Sequence, residues 1–140
     1  MIPLVGNELE LSTLHKLAEQ IFQELDPDRR LGQVKIGTMI EVPRACLVAD
    51  QIAAHADYFS FGTNDLTQMT LGFSRDDSGS FIRKYKEQKI LNADPFQSID
   101  QEGVGELMKI AIAKGKAQAP NLKIGVCGEH GGDPASVSFF

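Results

Sequence analysis

Tyr58-Phe59-Ser60-Phe61-Gly62-Thr63-Asn64-Asp65-Leu66-Thr67-Gln68 is an aromatic run that ends abruptly in small and polar residues. Four residues rich in aromatic side chains suit a short buried strand, and Gly62 gives the backbone a sharp exit or a close approach to a ligand. Thr63, Asn64 and Asp65 follow directly. In α/β architectures, polar groups just past the C-terminal ends of parallel strands are where ligands are held. This stretch therefore reads as a strand that delivers a site.

Working outward, the segment 34–41 reads as the preceding strand. Pro43, well placed at a first helical position, opens a helix over 44–55. Further back, Ile2-Pro3-Leu4-Val5 reads as a strand closed by Gly6-Asn7. From about Glu8, Leu11, Leu14, Leu17, Ala18, Ile21, Phe22 and Leu25 recur at helical spacing and mark one apolar face. Asp26-Pro27-Asp28 stops that helix, and polar residues through Gln33 make a loop. On the other side, 72–79 is a polar loop and 81–88 a short helix. Val104, Leu107, Met108, Ala111 and Ile112 restore the helical period, with Lys114-Gly115-Lys116 as its C-terminal signal. Residues 122–127 form the fourth strand and 128–132 a glycine-rich loop. Asp133-Pro134 then caps a final helix that the chain enters but does not complete.

Strand and helix alternate throughout, which predicts an α/β fold with parallel strands and right-handed crossovers. Periodicity alone leaves an open flavodoxin-like sheet and part of an eight-fold barrel equally compatible. At 140 residues and 42% hydrophobic content the chain can build a core. The net charge of −5 and the scattered lysines and arginines argue against a nucleic-acid partner. No apolar run reaches the roughly 20 residues that span a bilayer. Cys46 and Cys127 offer neither a disulfide framework nor a metal-binding pair, which suits a reducing compartment such as the cytoplasm.

Three strands end in chemically distinctive groups: Glu41, then Asn64 and Asp65, then Cys127. Two carboxylates on neighbouring strand ends make an oxygen site of the kind Mg²⁺ takes, with other positions left to water and substrate. The alternative is that Glu41 caps the helix at Pro43 and Asp65 caps a helix at Leu66. A free thiol, with a pKa of about 8.5, is mostly protonated at neutral pH, so Cys127 is a candidate general acid. A Cys127–His130 nucleophilic pair and a merely buried cysteine are its competitors. Arg75-Asp76-Asp77 reads either as an ionic loop over the site or as a solvated turn. Cys46 belongs to an apolar helix face.

Two long runs carry more information than any single residue. Gly62-Thr63-Asn64-Asp65-Leu66-Thr67-Gln68 and Cys127-Gly128-Glu129-His130-Gly131-Gly132-Asp133-Pro134 resemble the C-terminal domain of the phosphoenolpyruvate (PEP)-utilising enzymes. Ile40-Glu41-Val42-Pro43-Arg44-Ala45, Phe73-Ser74-Arg75-Asp76-Asp77 and residues 100–107 add to the likeness, which covers essentially the whole chain. Enzyme I of the sugar phosphotransferase system has a pattern nearer Gly-Glu-Leu-Ala-Gly after the cysteine. PEP synthase has glutamine at the position of Glu129. The run here is closest to the dikinase branch.

The resemblance implies a (β/α)₈ barrel of which residues 1–140 are about half, a partial domain truncated at both ends. It implies a reversible exchange of a phosphoryl group between a phosphohistidine on a separate domain and pyruvate, giving PEP. That exchange is part of a reaction converting ATP, phosphate and pyruvate to AMP, diphosphate and PEP. By matching positions, Glu41 and Asp65 would hold Mg²⁺; Gly62, Thr63 and Asn64, with the same two carboxylates, would line the substrate site; Cys127 would donate the proton to the enolate. A homodimeric parent is implied as well, and a cytoplasmic or organellar address. No Gly-Gly-x-x-Ser-His run supplies the phosphocarrier histidine within these residues, and the nucleotide-binding domain and substrate-binding arginines are also outside them. The isolated 140 residues are therefore expected to be inactive, and a structural or dimerisation module is the alternative function.

Overall fold

The computed structural model describes residues 1–28, 30, 32 and 34–140. The loop expected through Gln33 lies partly outside the described residues. Helix α1 (Glu8–Leu25) opens on a capping box, in which the Asn7 side chain accepts from the Glu10 N–H and Glu10 reaches back to the Asn7 N–H. Strand β1 (Thr38–Ile40) leads to two short helices, α2 (Pro43–Leu47) and α3 (Ala49–Ala53). Strand β2 (Tyr58–Gly62) runs directly into α4 (Thr63–Leu71), which ends where Gly72 turns left-handed at φ 67°. After α5 (Ile82–Glu87) come α6 (Val104–Gln118), β3 (Lys123–Cys127) and α7 (Pro134–Phe139). As expected, Asp133 caps α7, its carboxylate accepting from the Ser136 N–H at 2.8 Å.

The strands form one parallel sheet in the order β1-β2-β3. Phe59 and Phe61 of β2 are buried on one face, where Ile40, Ala45, Cys46, Ala49, Ile52, Val104, Met108, Ala111 and Leu122 complete the core, with Ile124 and Val126 packed against it. Burial pushes the Cys46 thiol up to about 12, so this cysteine is inert packing. The opposite face is more open: Ser60 is half-buried and Gly125 exposed. Parallel sheets are ordinarily covered on both faces.

Five expectations change. The stretch 2–5 is one parallel bridge, Ile2 to Thr38, rather than a strand. The backbone leaves extended geometry at Leu4 (φ 54°), whose N–H turns to Glu41. The segment 34–41 pairs only from Thr38, because the Ile36 N–H is taken by the Asp57 carboxylate at 2.6 Å instead of a ladder partner. The expected helix over 44–55 breaks at Val48, where φ −116° and ψ 25° depart from helical values. Helix α6 runs through Gly115, which is buried so close to Phe59 and Leu122 that a Cβ there would sit 2.9 Å and 3.0 Å from their side chains. That glycine serves close packing, not helix termination. Along α1 the covered face runs through Leu11, His15, Ala18 and Phe22, so Leu14, Leu17, Ile21 and Leu25, expected on one apolar face with them, are exposed beside it.

Candidate functional site at the strand ends

Parallel register sets the ends of the three strands in a row. Ile40 lies beside Phe61, Phe61 beside Val126, and Gly62 beside Cys127, so Glu41, Gly62 and Cys127 emerge side by side. Glu41 is only 2% exposed. One of its oxygens accepts from the Leu4 N–H at 2.7 Å. Burial raises its carboxyl above the usual carboxylate range, the Leu4 N–H offsets part of that, and the Asp65 carboxyl lying against it pushes it up again. Neither carboxylate caps a helix: α2 starts from Val42 and α4 from Gly62, both without a side-chain cap bond. Gly62 permits the pairing, since a Cβ there would run into the Glu41 side chain and come within 2.7 Å of the Met39 methyl.

Across the row, the Cys127 thiol is half-buried and donates to the Phe61 carbonyl at 3.4 Å. His130 is not its partner. The imidazole is fully buried, with Nδ1 2.8 Å from the Thr63 hydroxyl and Nε2 2.8 Å from the Pro95 carbonyl. The geometry therefore gives no Cys-His nucleophile. Asn64 keeps a buried Oδ1 without a hydrogen-bond partner, a costly state unless a ligand supplies a donor or a cation.

The expected site residues Glu41, Gly62, Thr63, Asn64, Asp65 and Cys127 are thus brought to one place. Three contacts at the site were not specified by the sequence. The Leu4 backbone reaches Glu41 only because the chain turns there. His130 braces Thr63 from 67 residues away. The Arg75 guanidinium pairs with Glu129, and the Arg75 N–H donates to Gln68 Oε1 at 2.9 Å, tying the loop after α4 to the turn after β3. Residues 75–77 form the exposed, solvated turn of the two readings, to which Arg75 adds its ion pair with Glu129.

Among the described residues, no group of three or more His, Cys, Asp or Glu side chains is arranged to hold a metal ion. The two-carboxylate pair fits Mg²⁺ all the same, because that ion takes one or two carboxylates and keeps its remaining positions for water and substrate oxygens. A desolvated carboxylate pressed against a second one is also the electrostatic situation that a cation relieves. Glu41→Gln is accordingly expected to raise the unfolding midpoint at pH 7 without Mg²⁺, since Gln keeps an acceptor for Leu4 and removes the buried charge. A raised carboxyl leaves its stability intact below the unfolded value of about 4.3 and loses it as pH rises through the folded value. The gap between variant and wild type should therefore vanish near pH 4, as thermal melts across pH would reveal.

A model of the PEP-utilising enzyme, PEP-binding domain family matches residues 1–140. The chain belongs to that family. The chain is 56% identical over 144 residues to pyruvate, phosphate dikinase 2 of Zea mays, covering all of this chain and 16% of that protein. It is 54% identical to the chloroplastic pyruvate, phosphate dikinases of Mesembryanthemum crystallinum and of Arabidopsis thaliana, again over the whole chain and 15% of each relative. The domain thus spans about 15% of the length of the curated relatives it matches. No described helix is long and apolar enough to cross a membrane.

Proposed function

We propose that this PEP-binding domain carries the pyruvate half-reaction of a pyruvate, phosphate dikinase, as part of a longer polypeptide that also holds the phosphocarrier histidine. The carrying observation is the row of Glu41, Gly62 and Cys127 on adjacent strand ends, with Asp65 against Glu41. The reaction reads as follows in the direction of pyruvate. The phosphorus–oxygen bond of PEP breaks, a phosphorus–nitrogen bond to the histidine forms, and the electron pair stays on the enolate oxygen. Asn64, whose buried Oδ1 lacks a protein partner, orients the substrate at the start of α4, beside Thr63, whose own hydroxyl is buried against His130. Cys127 gives its proton to the methylene carbon, leaving a thiolate that solvent reprotonates. A neutral thiol can do this without setting a second anion against the enolate. Mg²⁺ held by Glu41 and Asp65 would supply the positive charge that makes the enolate accessible.

The half-covered parallel sheet is what a (β/α)₈ barrel would need on its inner face, with the site at the C-terminal strand ends. We therefore read residues 1–140 as part of such a barrel, the rest contributed by the longer polypeptide. Proposed partners are pyruvate or PEP, the phosphohistidine domain and a second copy of the parent chain; nucleic acid and membrane are not among them. A reducing compartment is met by the cytoplasm and by an organelle alike, and two of the relatives are chloroplastic by name.

A single-turnover experiment tests the function. The full-length polypeptide carrying this chain, mixed with PEP and Mg²⁺ but no nucleotide, is expected to form phosphohistidine and pyruvate in equal amounts. Pyruvate without phosphohistidine, or neither product, would refute the assignment.

A further inference from the structure

His130 is the one titratable side chain buried completely beside the strand ends that the reaction above leaves without a part. Its two ring nitrogens are both engaged. A carbonyl only accepts, so the proton shared with Pro95 O belongs to Nε2, while Nδ1 lies 2.8 Å from the Thr63 hydroxyl oxygen. That hydroxyl also donates to the Cys127 carbonyl at 3.3 Å. Thr63 is itself fully buried at the first position of α4. One hydroxyl therefore joins the start of α4, the end of β3 and the imidazole.

The turn after Cys127 has little slack around this junction. Gly128 sits at φ 112°, a left-handed value, and a Cβ on it would lie 2.8 Å from the same Thr63 oxygen. The next residues form a short 3₁₀ turn, Glu129–Gly132, with His130 plugged inward. Pro95, on the other side of the ring, belongs to a segment remote in sequence, so the ring is braced from outside the strand ends. Distances among Cys127, Asn64 and Asp65 are thus set through a side chain that faces away from the substrate.

We propose that His130 is a positioning residue: through the Thr63 hydroxyl it fixes where the Cys127 thiol stands relative to Asn64 and Asp65, and so governs proton delivery to the enolate. This rests on the reading of Cys127 as proton donor. The role predicts an asymmetry between its two hydrogen bonds. Asparagine places an acceptor where Nδ1 stands and keeps the Thr63 contact; glutamine places its amide where Nε2 stands and keeps only the Pro95 contact.

The test compares His130→Asn, His130→Gln and Cys127→Ala in the full-length polypeptide, measuring phosphohistidine formed from PEP and pyruvate released as separate rates. His130→Gln is expected to slow pyruvate release about 10²-fold, the cost of a misplacement near 1 Å, while phosphohistidine formation changes little. His130→Asn is expected to recover pyruvate release to within about tenfold of wild type, the cost of one net hydrogen bond. Equal losses in both variants, or parallel losses in both rates, would overturn the positioning role while Cys127→Ala remains blocked. Unimpaired pyruvate release by Cys127→Ala would instead remove the proton-donor reading and the His130 role with it. A Thr63→Val variant guards against misfolding of the histidine variants: it should reproduce the selective loss of pyruvate release, and a Thr63→Val protein with wild-type partition of the two rates would overturn the proposal.

Discussion

Cys127→Ala in the full-length polypeptide is expected to lower pyruvate release by about 10³-fold while leaving phosphoryl transfer from PEP and Mg²⁺ binding in place. The thiol stands at the end of β3, half-buried, its proton directed at the Phe61 carbonyl, in register with Gly62 and two strands over from Glu41. Among the described residues no other group there is free to give the proton: Glu41 and Asp65 would serve a bound cation as anions, the Thr63 hydroxyl donates to the Cys127 carbonyl, and both nitrogens of His130 are occupied. Removing the sulfur therefore removes the proton and little of the binding site. Quenched-flow measurement of phosphohistidine and pyruvate in the same samples separates the two steps. Unchanged pyruvate release would assign the proton to another group.

The second large effect is structural in origin. Gly62→Ala is expected to cost about 2–3 kcal/mol of stability and to abolish Mg²⁺-dependent substrate binding, as overpacking of a tight site typically costs 1–3 kcal/mol. The backbone at Gly62 has φ −83°, which any residue adopts, so the cost does not come from strain. It comes from space: the new methyl would overlap the Glu41 side chain and approach the Met39 methyl to 2.7 Å. Glu41 is held from the other side by the Leu4 N–H, so it can yield only by breaking that bond. Denaturant unfolding and calorimetry would reveal both losses; an alanine variant within about 0.5 kcal/mol of wild type, the range of ordinary surface changes, would show that the close approach is relieved cheaply.

The legibility of this fold depends on where each element's signal resides. Tyr58–Gly62 and Lys123–Cys127 are readable because their apolar runs are bounded by glycine and polar residues, and both became strands. Helices α1 and α6 are readable from period alone. The stretches 2–5 and 34–37 carry the same apolar composition yet pair poorly, because a ladder needs a partner in register and that is not written in either segment. At Gly115 the local sequence suggests a helix end, but the residue answers to Phe59, which is distant in the chain, and to Leu122 beyond the helix.

The site divides in the same way. Glu41, Asn64, Asp65 and Cys127 are visible as reactive types at strand ends, and parallel strands bring such ends together. Which carboxylate would be buried was not visible, since the Leu4 N–H that satisfies Glu41 arrives from a turn 37 residues earlier. The part played by His130 was equally hidden: its proximity to Cys127 in sequence suggests a catalytic pair, whereas its ring turns inward to Thr63 and Pro95. Sequence identifies the reactive groups here, and the packing of remote segments decides which of them can act together.

Glu41 at the end of β1 and Asp65 in the first turn of α4 are proposed to make a Mg²⁺-dependent site for a pyruvate enolate. Oxalate, a planar dianion with the shape of that enolate, tests it most directly by calorimetric titration of the full-length polypeptide. Wild type should bind oxalate with Mg²⁺ and not without it, and Glu41→Gln should lose the Mg²⁺-dependent heat while remaining folded. Equal oxalate binding by wild type and Glu41→Gln, or binding indifferent to Mg²⁺, would contradict the account.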